Sequence, residues 1–369
     1  MLSLFYLLAA LLVLQIVVVA HELGHWMAFR ACGIPVPFFG VGFGKSLFHF
    51  RAFGTEFHLR LIPLGGSVEP MHGALLEGRD EKELEEIRRT EPELLDRSRW
   101  VENASPLSRL IGAAAGPVAS AVFAFLIGTG YYACKTTINV PIQPTVTSVA
   151  QGSAAEAMGL AIGDRIEGVN GHPITSFVEL KQELMLGCEG ETITVRVSRD
   201  GTPLDCRVAS AALTRENSWT VPQLGVGVEA FGQRKTTGPV DWATLALVDC
   251  WRVVDGTGRF ISGVFAHPTV ARHAAGPIGM VRTVKSLGEV ELLALLWAAA
   301  MLSMALAVFN IIPLAILDGT RMLFELIQIV FRRALPIRLQ HAYMIATGVL
   351  VLVLMLTANT ADVIRLIVT

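Results

Sequence analysis

The chain has 369 residues, of which 52% are hydrophobic and only 17% charged, and its mean hydropathy is +0.53, a balance that excludes an ordinary water-soluble globular protein. A net charge of -2 and a pI near 6.5 create no large field, so nucleic acid is excluded as a partner. Five cysteines without a CxxC pair exclude both a disulfide-dense scaffold and a cysteine-built zinc site.

Crossing a hydrocarbon core takes about 20 apolar residues of helix, and four stretches qualify, near 3–29, 107–133, 292–316 and 342–368. The first has no Lys or Arg ahead of its apolar run and outlasts the short core of a signal peptide, so it is expected to be a retained span. After it, residues 38–70 punctuate alternating apolar and polar residues with glycines, which predicts β-hairpins. Gly40, Gly42, Gly44, Lys45 and Ser46 do not make a phosphate loop, because the position five before Gly44 is Phe39. Residues 59–68 read as an edge strand, with Pro63 preventing pairing along its full length. The acidic run Glu77 to Glu93 is expected to be a solvated helix. Arg30, Arg51, Arg60, Arg88, Arg89, Arg97, Arg99 and Arg109 lie between spans one and two, and Arg332, Arg333 and Arg338 between spans three and four. Positive loops stay in the cytoplasm, which places both termini and residues 134–291 on the other side.

Within 134–291 the composition turns soluble from about 144 to 212. The pattern there is strand (Thr145–Val149), short helix (Ala154–Met158), strand (Gly163–Val169), helix (Phe177–Leu186) and strand (Thr192–Arg199). Cys188 and Cys206 both fall in this module, and their spacing leaves pairing open. Residues 240–264 interleave Trp242, Leu245, Leu247, Trp251, Val254 and Phe260 with Asp241, Asp249, Arg252 and Asp255, which predicts an interfacial amphipathic helix and not a fifth span. Residues 240–290 as a whole are assigned to such helices.

The chemistry is concentrated in spans one and three. Ala20 to Phe29 reads AHELGHWMAF, so His21, Glu22 and His25 form HExxH on a helix. Histidines four apart share a face and reach one Zn²⁺, and the glutamate between them reaches a water on that ion. Three such groups in a bilayer are costly unless they are paired or coordinating. The stretch FNIIPLAILDGTRMLFEL supplies Asn310, Pro313 and Asp318, with Pro313 breaking the helix and Asp318 as the natural third ligand.

HExxH in span one, NxxPxxxLDG in span three and an insert between spans two and three together resemble the site-2 protease family of intramembrane zinc metalloproteases. GFG-K, LRLIPLGG, AAAGPVAS and AGPIGM, in that order, are similar to its bacterial branch that acts on anti-sigma factors. The run GSAAEAMGLAIGDRIEGVNGHPI resembles a bacterial PDZ domain, whose groove takes extended peptides or chain ends by adding a strand. The resemblance implies a polytopic α-helical membrane protein of four transmembrane helices, with a membrane-associated β-hairpin region and one extracytoplasmic PDZ-like α/β domain. It implies Zn²⁺ on His21, His25 and Asp318, Glu22 as general base and Asn310 near the reacting peptide. It implies substrate contact from Leu61, Pro63, Gly65 and Gly66 and, where the family usually has Asn, from Ser120. The expected partners are transmembrane protein substrates of the anti-sigma type, a peptide at the PDZ-like groove and the lipid bilayer. The expected location is a bacterial inner membrane. One PDZ-like module stands where similar enzymes often have two. A non-catalytic scaffold would predict a broken metal set, and a metal transporter would predict intramembrane acids beyond Glu22 and Asp318.

Overall fold

The computed structural model describes residues 2–77, 81–187, 192–213, 223–266, 276–333 and 335–368. Cys188 lies outside them. In chain order the elements are α1 (Leu2–Ala31), β1 (Phe38–Ala52), β2 (Thr55–Glu69), α2 (Glu81–Thr90), α3 (Pro106–Ala133), β3 (Thr137–Val149) and α4 (Ala154–Ala157). There follow β4 (Arg165–Val169), β5 (His172–Pro173), α5 (Phe177–Gly187), β6 (Thr192–Arg199), β7 (Thr202–Ala209) and β8 (Val226–Lys235). Five helices complete the chain: α6 (Pro239–Ala266), α7 (Pro277–Val290), α8 (Ala294–Ile311), α9 (Asp318–Phe331) and α10 (Ile337–Val368). The contacts divide into two units: residues 1–131, 243–254 and 281–353, and residues 132–242, 255–280 and 354–369.

Among the described residues, four helices are long and apolar enough to cross a membrane: Ser3–Ala31, Pro106–Ala133, Ala294–Ile311 and Ile337–Thr360. These belong to α1, α3, α8 and α10. The end of α1 is set by Gly33, whose φ of +79° suits the left-handed residue that closes a helix, with its N–H on the Arg30 carbonyl. The start of α3 is set by Ser105, whose hydroxyl accepts the Ser108 N–H, followed by Pro106 in the first turn.

Span three departs from the expected 292–316. The helix stops at Ile311, runs through an irregular turn containing Pro313, and restarts as α9 at Asp318. Proline cannot donate to the preceding turn and forces its neighbour out of helical geometry, and Ile312 accordingly is extended. The expected interfacial helix, α6, packs against two of the four apolar helices. Its Ala246 faces Gly128 of α3, and Cys250, Val253 and Val254 join Ala124 of α3 with Met304 and Ala307 of α8. Buried Asp249 of α6 accepts the indole N–H of Trp297 at 2.9 Å and bonds Arg252 at 3.0 Å, which supplies the partners a carboxylate needs there.

Both hairpin strands bend. Residues 38–41 pair on one side with 56–59 and on the other with 66–69, while 48–52 return along 55–59. The outer edge is therefore 66–69, not the whole of 59–68, and Leu61 and Pro63 belong to the stretch leading to it.

The second unit is built on a sheet ordered β7-β6-β4-β3-β8, with β5 paired to β4. Asn170-Gly171 and Asp200-Gly201 have positive φ at both positions and close the β4-β5 and β6-β7 hairpins, the conformation that two-residue hairpin loops favour. Ile166, Val169, Ile193, Val195 and Val197 alternate inward beneath Leu180 and Leu184 of α5. The module is longer than 144–212, because β8 pairs with β3 and Leu213, Leu224, Val226 and Val228 complete its core.

Candidate metal centre

Residues 21, 25 and 29 follow each other at four-residue spacing on one face of α1, and Ser120, Gly116 and Gly112 do the same on α3. The two faces meet antiparallel. A side-chain carbon at Gly112 would lie 2.2 Å from the Phe29 ring, and one at Gly116 would lie 2.2 Å from His25 Nε2 and 2.8 Å from His21 Cε1. Only glycine leaves the two imidazoles room at this seam, the small-residue contact by which membrane helices approach closely.

Each ring is held by its far nitrogen. His25 Nδ1 lies 2.7 Å from the Gly112 carbonyl oxygen and His21 Nδ1 lies 3.0 Å from Ser120 Oγ. A carbonyl can only accept, so His25 carries its proton on Nδ1 and, as a neutral imidazole, turns a bare lone pair on Nε2 inward. There the Nε2 atoms are 3.2 Å apart, and each is 3.1 Å from Asp318 Oδ2. Both histidines are buried and the Asp318 side chain is 16% exposed.

Lone pairs converging with a carboxylate repel one another unless a cation lies between them. Ligand atoms about 2.0–2.1 Å from a tetrahedral zinc stand roughly 3.3–3.4 Å apart, close to the observed triangle. The residues therefore fit a zinc ion. Each histidine also has the outer partner that fixes a metal-bound ring.

Asp318 begins α9, where the helix dipole favours a negative charge. A side-chain carbon on Gly319 would fall 2.3 Å from the Ile311 carbonyl oxygen and 2.4 Å from that of Ile312, so glycine permits the tight α8-α9 turn. Two turns further along, Arg109 of α3 donates to Glu325 at 2.8 Å and to Gln328 at 2.9 Å. Thus α9 is fixed at its turn and along its length.

Glu22 is half buried, and the nearest atom to a side-chain carbon built on Gly66 would be Glu22 Cγ at 2.7 Å. The outer β2 segment therefore lies directly on the HExxH helix. Gly65, with a φ of +81°, turns the strand there. Of the expected site residues, His21, Glu22, His25, Asp318, Ser120 and Gly66 come together. Asn310 is buried and donates to the Leu306 carbonyl one turn back, and among the described residues no hydrogen bond joins it to the histidines or Asp318. Leu61 is exposed. Ser120, expected to face substrate, is fully buried against His21, and its own carbonyl accepts the Ser303 hydroxyl at 2.9 Å. It orients the ring of a candidate metal ligand. The spacing of Gly112, Gly116 and Ser120 was the signal for this role, and sequence reasoning passed over it.

The profile of peptidase family M50 matches residues 9–355. A Campylobacter jejuni protein, provisionally named a zinc metalloprotease, is 29% identical over 98% of this chain and 94% of its own. Provisionally named zinc metalloproteases of Rhizobium meliloti and Helicobacter pylori are 30% and 28% identical, covering 86% and 95% of this chain and 85% and 97% of their own.

Proposed function

The chain belongs to peptidase family M50, the site-2 proteases, and is a zinc metallopeptidase, from which we propose that it cuts single-span membrane proteins within or at the edge of the bilayer. The observation that carries this reading is the position of the metal-binding histidines. They lie inside an apolar helix long enough to span a membrane, with the outer hairpin segment against Glu22.

Zinc would be held by His21, His25 and Asp318, where it would supply a Lewis acid for a peptide carbonyl and for the attacking water. Glu22 takes the proton of that water and afterwards gives it to the leaving amine. Ser120 and the Gly112 carbonyl hold the two rings in register with Asp318. Peptide groups of a transmembrane helix are shielded by their own hydrogen bonds, so the substrate must unwind first. Segment 66–69 captures the unwound stretch as an added strand.

The substrate is an anti-sigma factor already trimmed outside a bacterial inner membrane, and the sheet module, acting as a PDZ-like dock, selects among candidates by their external parts. The sequence similarities in LRLIPLGG, AAAGPVAS and GSAAEAMGLAIGDRIEGVNGHPI support this assignment. The test is a comparison of membrane proteomes from cells making the wild type and Glu22→Gln. Trimmed single-span proteins should accumulate with the variant, and identical proteomes would remove the proposal.

A further inference from the structure

Gln15 is a polar side chain in the apolar run of α1, and HExxH chemistry makes no use of it. It is 92% buried, counting its 8% exposure against the whole. Its amide nitrogen donates to the Gly65 carbonyl oxygen at 3.1 Å. Its own carbonyl oxygen is buried and has no hydrogen-bond partner among the described residues.

Residues 15, 18 and 22 fall on one face of a helix, and that face is the one β2 covers. Gln15 bonds Gly65, while Val18 Cγ1 and Glu22 Cγ would be 3.1 and 2.7 Å from a side-chain carbon on Gly66. The unpaired acceptor therefore sits along the same seam as the proposed base, beside a strand whose outer side has no backbone partner among the described residues. A carboxamide with its donor on a strand carbonyl and its acceptor unpaired matches the alternating N–H and C=O of an extended peptide, which would reach the oxygen once the seam parts to admit it.

On the reading of this chain as an intramembrane protease, we propose that Gln15 is a substrate-contacting residue whose carbonyl oxygen accepts one backbone N–H of the bound segment. Seven residues of helix separate it from Glu22, a rise of about 10 Å, and an extended chain covers that distance in about three residues. The contact lies about three residues from the cleaved bond. It reads the backbone alone, so it rewards substrates that unwind at least that far and tolerates any side chain there.

The experiment uses full-length protein in lipid bilayers and a synthetic transmembrane peptide whose cleavage position is first mapped by mass spectrometry. Single amides are then replaced one at a time by esters, which deletes one N–H without changing the side chain. One ester about three residues from the cleaved bond should lower kcat/KM of the wild type about tenfold and leave Gln15→Met unaffected beyond its own deficit. In parallel, a photoreactive residue at position 15 in the Glu22→Gln background should capture the peptide. Equal ester effects in both proteins overturn the proposal, as does absence of the crosslink, which also decides the matter should Gln15→Met lose its zinc. Failure of the wild type to cut the all-amide peptide would instead overturn the proteolytic reading.

Discussion

Two carboxylates of this molecule stand in opposite company. Asp164, in the sheet unit, is fully buried and takes both oxygens to the Arg199 guanidinium at 2.7 and 2.8 Å, with a third bond from the Ala161 N–H at 2.9 Å. The bonds from Arg199 hold its carboxyl below the usual range. Asp318 faces two imidazole nitrogens and no guanidinium reaches it among the hydrogen bonds of the described residues. An acid that carries its own cation serves the fold, and one set among lone pairs marks a place for an ion from outside.

The sharpest test of that distinction leaves the ion in place and removes the chemistry. Glu22→Gln keeps the shape of the side chain but cannot accept a proton, so cleavage should fall by about 10²–10⁴-fold while metal analysis still finds zinc. Turnover at the wild-type level would mean another base. Gly116→Ala should break the metal side without touching a ligand, because the new carbon would collide with His25 Nε2. Zinc affinity, measured by chelator competition, should drop about 10–100-fold, the range for disturbed ligand orientation.

Ser120→Ala should lower zinc affinity about tenfold by freeing His21 Nδ1, and Ser120→Thr, which retains the hydroxyl, should restore part of it. A pure substrate-binding role predicts the reverse, with KM changed and affinity for the metal intact. On the other side of the comparison, Asp164→Asn should cost about 1–3 kcal/mol, limited because the Arg199 side chain is 37% exposed and partly screened. Hydrogen exchange of the β6 amides in the full chain would report it, with zinc content unmoved. The acceleration of exchange in the variant should shrink at low pH. Since the folded pKa of Asp164 is depressed, its stabilisation is complete above the ordinary value of about 3.9 and is lost as pH falls below that toward the folded value.

What could be read from residue order was what depends on near neighbours. HExxH is legible because four residues are one helical turn, and Asp318 because a charged residue closing an apolar run is costly without a role. The family resemblance points Ser120 at substrate, and its contact with His21, 99 positions away, is one that nothing local announces. Strand β8 escaped because its place in the core comes from pairing with β3, about 90 residues earlier, and the narrow stripe of Ala246, Cys250 and Val254 by which α6 packs is hidden in sequence among its charges. Outer segment 66–69 became distinct from 59–65 only through the bends of both strands.

The double anchorage of α9 changes what losing the metal would mean. With its start wedged by Gly319 against two carbonyls and Glu325 and Gln328 tied to Arg109, the helix cannot follow a departing ion. The socket is cast by the scaffold and not moulded around its contents. Stripped protein should consequently keep its fold and refill without a lag, with its melting temperature lowered only by the binding free energy the ion no longer supplies, behaving like an empty lock and unlike a domain that needs its ion in order to fold.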